Sequence, residues 1–293
     1  MNTVQEYRVS SADAGPYAVT AGPDGAMWFT LVHAGRIGRI APDAGPVEFA
    51  LDRADTGPTV ITPGPDGALW FTEYRGHRIG RITTSGDAVH YALPPDLAGP
   101  FGIAAGPDGA LWFTATATSR VGRITVDGEI SGYALPVEGA FPSAITAGPD
   151  GAMWLTLNAA DAVARIALDG TVSLHKLPTA GAAPVGITAG SDGALWFTEI
   201  GAGAVGRVTV DGRIAEFPLA DRAARPHAIA PGPDGALWFS EWAGNRIGRM
   251  AVDGEQSEPC PLPTPGSEPH GLAVGPDGAV WVALEIGALA RVV

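Results

Sequence analysis

Two histidines stand 43 residues apart in matching phrases, His227 in "RPHAIAPGPDGALW" and His270 in "EPHGLAVGPDGAVW". Earlier copies of the phrase put Tyr17, Thr59, Phe101, Ser143 or Val185 in that slot. Glu268 lies two residues before His270, and Glu285 follows Trp281 by four residues. Imidazole titrates near neutral pH and is the commonest general base, worth roughly 10²–10⁴-fold in rate. Two carboxylates beside it suit a hard divalent cation such as Mg²⁺, which takes one or two protein carboxylates and fills the rest of its shell with water and substrate oxygens. Such an ion can polarise a carbonyl as a Lewis acid. The alternative is a pair of structural rim histidines that hold a loop between repeats.

What must position these groups is a repeat that runs through the chain. The phrase "GPDGAMWFT" and its variants place tryptophans at Trp28, Trp70, Trp112, Trp154, Trp196, Trp238 and Trp281, and each copy ends in an arginine of a "RIGRI"-like stretch. Within a copy, a post-proline strand, a "GPDG" turn, the Trp strand, the Arg strand and an alternating outer strand read as four antiparallel strands. Pro and Asp suit the first positions of the turn, and Gly takes its positive-φ position. Four strands in about 42 residues match a β-propeller blade. The fold class is therefore all-β, a seven-bladed β-propeller forming one domain over residues 1–293. The chain stops three strands into its seventh copy and opens with "VQEYRVS", which has fourth-strand character. The N-terminal strand should complete the last blade and close the ring, removing exposed edges.

In a meander of this kind, the start of the first strand and the end of the second share one end of the blade. The seven slots just after the prolines then ring one mouth of the channel. They are apolar or neutral through five blades and carry His227 and His270 in the last two. Closure brings Tyr17 of the first blade beside them. The residues before each proline run Gly15, Gly57, Gly99, Phe141, Ala183, Arg225 and Glu268. His33 and His77 fall in turns, and His90 and His175 on outer strands, where exposed roles are expected. Glu73, Glu199 and Glu241, three residues after their tryptophans, are expected to pair with blade arginines. Glu285 is displaced by one residue in a shortened blade, which turns its side chain toward Glu268 because side chains alternate along a strand.

Composition narrows the partners. The chain has 293 residues, with a net charge of −13 and pI ≈ 4.7, so it lacks the basic footprint that nucleic-acid phosphates require. The single cysteine, Cys260, excludes an internal disulfide. No stretch has the length of apolar residues needed to span a membrane, and the N-terminus lacks a basic start followed by an apolar run. These features lead us to expect a cytoplasmic monomer acting on a small molecule.

The phrases "GPYAVT" (15–20), "RPHAIA" (225–230), "EPHGLA" (268–273) and "WVALE" (281–285) together resemble the virginiamycin B lyase (streptogramin B lyase) family. The repeat phrases extend that resemblance along the whole chain, although they would fit other propellers as well. The resemblance implies Mg²⁺-dependent opening of cyclic depsipeptide antibiotics by elimination at a threonine ester, without addition of water. His270 would remove the Cα proton, Glu268 and Glu285 would hold the metal, His227 would contact substrate near the leaving carboxylate, and Tyr17 would line the pocket. "WVALE" departs from the family by lacking Phe after Trp, which removes no proposed functional group. Substrate range rests on rim residues such as Tyr74, Phe101, Phe141, Arg225 and Trp242. Two other classes compete: a non-catalytic binding propeller, and a lactonase-type propeller, whose axial Asp/Asn/Glu cage the seven slots do not supply.

Overall fold

A computed structural model describes residues 3–41 and 44–293. It contains seven four-stranded antiparallel sheets, each a simple meander. The first comprises Pro16–Ala21, Met27–Leu31, Arg36–Ile40 and Val47–Ala50. The seventh joins Pro269–Val274, Val280–Leu284 and Ala288–Val292 to the N-terminal strand Val4–Arg8. That closing pair runs antiparallel, with Val4 opposite Val292 and Arg8 opposite Ala288. Closure by the N-terminal strand is as the sequence predicts. The sixth blade has the shortest outer strand, Cys260–Pro261. Among the described residues no helix is long and apolar enough to cross a membrane.

The repeat phrase is a set of contacts. In every blade the aspartate of the "DG" turn accepts from its tryptophan Nε1 through one oxygen, at 3.0–3.2 Å. Its other oxygen accepts from the blade arginine Nε at 2.6–2.7 Å. The indole thus enters the core with its N–H satisfied, as a buried donor must be. An outer-strand ring, Phe49, Tyr91, Tyr133, His175, Phe217 or Tyr7, stacks on the tryptophan at 5.3–5.5 Å between centroids. His175 is therefore a half-buried stacking residue rather than an exposed one.

Residue sizes on paired strands are matched. In five blades the Phe after Trp faces Gly across the sheet, as in Phe29–Gly38 and Phe71–Gly80. A Cβ on Gly38 or Gly80 would lie 2.0–2.1 Å from the phenyl ring. Where the aromatic shrinks to Leu155 or Val282, the partner grows to Ala164 or Ala290. Such volume-conserving exchange keeps the core at native density.

Two features of the scaffold aim the rim. Each inner strand slips register between its proline and the residue three further on, as at Pro16/Val19 and Pro269/Leu272. Such an irregularity re-aims side chains where a regular strand would alternate them, and it contains Tyr17, His227 and His270. A threonine on the Trp strand of one blade then donates to the carbonyl of the next blade's rim residue: Thr30 to Thr59, Thr72 to Phe101, Thr114 to Ser143, Thr156 to Val185 and Thr198 to His227, at 2.6–2.7 Å.

Candidate active site at the channel mouth

The predicted residues converge. Ligand atoms of Glu268, His270 and Glu285 all lie within 4.8 Å of one another. His270 is 8% exposed, and its Nε2 lies within hydrogen-bond distance of Glu285 Oε2, at 2.8 Å. The Tyr17 ring packs against His270 at 4.6 Å between centroids, tilted by 33°, and His227 meets His270 edge-on at 5.0 Å. The Tyr17 hydroxyl and His227 Nε2 are 3.4 Å apart. Below them an apolar cavity of about 260 Å³ continues down the channel, lined by residues such as Val60, Ile145, Val185 and Ile229.

Local backbone explains why Glu285 reaches this mouth while its near-counterparts do not. Glu73, Glu199 and Glu241 end their strands and point into the blade, fully or nearly fully buried. Glu285 lies one position past its strand, on the rim, where its N–H donates to Ser267 at 3.0 Å. Glu268 occupies the pre-proline slot, whose residue has positive φ in every blade: Gly at three, and Phe141, Ala183, Arg225 and Glu268 (φ 49°) at the others. Non-glycine residues held there cost of order 1–3 kcal/mol each and concentrate at functional sites.

Burial sets the charge states. His227 is pushed down to about 3, first by burial and then by the nearby His270, and so stays neutral. Burial, with the charge of Glu285, raises Tyr17 and keeps its hydroxyl protonated. Glu285 is lowered to about 2, chiefly by its bond from His270 and, against the effect of burial, by a bond from His33. Glu268 is raised by desolvation and by the adjacent Glu285. Two carboxyl groups side by side, with imidazole alongside, fit a hard divalent cation, whose charge favours the ionised form of both. Glu268 and Glu285 would supply the oxygens. Among the described residues, one other grouping of acids and imidazole, Asp52, Glu73 and His90, is different in kind. Arg78 lies within it and donates to both carboxylates at 2.7 Å, so a cation is already built in.

Three expectations need correction. His33 is not merely exposed: its Nε2 donates to Glu285 Oε1 at 2.9 Å across the closure seam. His90 is half-buried, with its Nδ1 2.6 Å from Glu73. Glu73 and Glu241 pair with Arg78 and Arg246 as expected, but Glu199 pairs with nothing. Its cross-strand neighbour is Ala204 where the other two blades have arginine, and both its oxygens are buried without a hydrogen bond. Closure, which brings Tyr17 to the seventh blade, also applies to the turn containing His33; that was the available signal.

Fold and site together define a seven-bladed β-propeller with an acid–imidazole cluster at one mouth of its channel. Residues 2–292 match the Virginiamycin B lyase family, and the chain belongs to it. It is similar over 100% of its length to the crystal structure of virginiamycin B lyase from Staphylococcus aureus, of which 99% is covered, with 40% identity and a TM-score of 0.95. A catalytically inactive histidine-to-alanine variant of the Staphylococcus aureus enzyme, solved with quinupristin, matches equally well: 40% identity, TM-score 0.95, and 100% and 99% of the two chains. Matches to curated sequences are short: 61% identity over 46 residues with virginiamycin B lyase of Streptomyces coelicolor, 16% of this chain and 15% of that one.

Proposed function

We propose that the protein is a carbon–oxygen lyase that linearises type B streptogramins by elimination at the threonine ester, with His270 as base. The observation that carries this reading is the convergence of His270, Glu268 and Glu285 at one mouth, in a chain that matches a family of lyases from end to end. A Mg²⁺ ion held by Glu268 and Glu285 would supply Lewis-acid polarisation of a substrate carbonyl.

The chain's own residues account for the proton. His270 Nδ1 is buried without a partner, so Nε2 is the nitrogen that faces the mouth. Acting as base, His270 takes the threonine Cα proton at Nε2. The Cα–H electrons form the Cα=Cβ bond, the Cβ–O bond breaks, and the ester leaves as a carboxylate. Glu285, beside Nε2, stabilises the imidazolium that forms. Tyr17, kept protonated, offers an O–H donor, and neutral His227 offers hydrogen bonding without charge. Both suit a departing carboxylate at the head of the apolar cavity that they help to line.

Quinupristin turnover with and without a chelator, in the parent chain and in His270→Ala, tests the reading. Loss of turnover in both cases is expected; turnover in His270→Ala at the parent rate would refute the assignment of the base.

A further inference from the structure

We propose that His33 is a positioning residue for Glu285, crossing the seam between the first and last blades so that the two oxygens of one carboxylate are held by two imidazoles. The inference rests on reading the mouth as the lyase site. His33 Nε2 meets Oε1 at 2.9 Å while His270 Nε2 meets Oε2 at 2.8 Å. A carboxylate bonded at one oxygen can swivel; bonded at both, its plane is fixed, and with it the direction from which Oε2 addresses His270.

The surroundings are built for this reach. Gly15, at φ +64°, leaves a berth for the ring, since a Cβ there would lie 2.4 Å from His33 Cδ2. The His33 N–H donates to Ala14 O at 3.1 Å, and Arg75 of the second blade donates to Val32 O at 3.1 Å, bracing the turn. The same turn position elsewhere is Arg75, Ala117, Ala159, Gly201 or Ala243, so an imidazole occurs only in the blade that adjoins Glu285. Stability does not explain the pair. The two side chains are 48% and 30% exposed, and ion pairs so open to water contribute little.

The test compares His33→Leu, His33→Gln, Glu285→Gln and the double variant His33→Leu/Glu285→Gln, with quinupristin and Mg²⁺. Removal of a residue that orients another typically costs about 10–100-fold. His33→Leu is expected to lose that much in kcat with KM little changed, and His33→Gln, which keeps an N–H donor at similar reach, to recover most of it. The double variant is expected to be no worse than Glu285→Gln, because contacting residues are not additive. A parent-like kcat in His33→Leu, or fully additive losses, would overturn the inference while leaving the lyase reading intact. Should the parent chain leave quinupristin unchanged, imidazole ¹⁵N NMR still decides. A protonated, hydrogen-bonded His33 Nε2 that is perturbed in Glu285→Gln supports the contact, and an unperturbed signal refutes it.

Discussion

His270 Nε2, on the inner strand of the closing blade, and Glu285 Oε2, just past the end of its second strand, meet at 2.8 Å, and Glu268 completes the cluster from the strained turn before the inner strand. The arrangement brings oxygens of two carboxyl groups and an imidazole nitrogen within 4.8 Å of one another. A divalent cation should therefore bind here without substrate. Calorimetric titration with Mg²⁺, or with Mn²⁺ by paramagnetic resonance, is expected to show one site that is lost in Glu268→Gln and in Glu285→Gln. Binding that survives both substitutions would place the ion elsewhere.

Function and stability pull apart at Glu268. Its backbone sits at φ 49°, in the slot that Gly15, Gly57 and Gly99 fill in other blades. Glu268→Gly should relieve about 1 kcal/mol of strain, raising the melting temperature by a few degrees at most, while abolishing Mg²⁺-dependent turnover. A lower melting temperature would show that the glutamate side chain stabilises the rim by more than its backbone costs.

The Phe–Gly match makes a core prediction remote from the site. Gly80→Ala drives a methyl into the Phe71 ring and should destabilise by about 1–3 kcal/mol, the usual range for overpacking. Adding Phe71→Leu, which reproduces the Leu155–Ala164 pair of the fourth blade, should recover most of the loss. Denaturant unfolding of the two variants checks this; additive destabilisation would contradict the size-matching account.

Glu199 makes stability depend on pH. Burial, and then the charge of Glu216, push its pKa up to about 8 from an ordinary 4.5. Between those values the unfolded chain releases the proton and the folded one keeps it, so stability falls as pH rises, by up to about 1.4 kcal/mol per pH unit. Below 4.5 both states hold the proton, and the penalty vanishes. Glu199→Gln should therefore match the parent near pH 4 and exceed it increasingly up to pH 8. A constant difference across that range would mean that Glu199 titrates normally.

Much of this was legible in the sequence because a 42-residue period states the fold and a slot in a repeat states a place. His227, His270, Tyr17 and Glu268 could be set on one mouth by counting, and Glu285 by the one-residue shortening of its blade. Contacts were less legible. The Asp–Trp–Arg contacts within each blade and the threonine links between blades recur with the period, but residue type does not say which side chains meet. The reach of His33 occurs once, across the closing seam, and no period encodes it. The solitude of Glu199 was visible in principle, since Ala204 replaces the arginine found after Glu73 and Glu241. The inner-strand irregularity that holds the three rings begins at the proline of each blade, but a proline alone does not say how far the register slips.

The most direct test of the account is the mass of the product formed from a type B streptogramin by the Mg²⁺-supplemented protein. Proton abstraction by His270 predicts a ring-opened peptide of unchanged mass carrying an unsaturated residue at the former threonine. A product heavier by one water would mean hydrolysis, and would contradict the account.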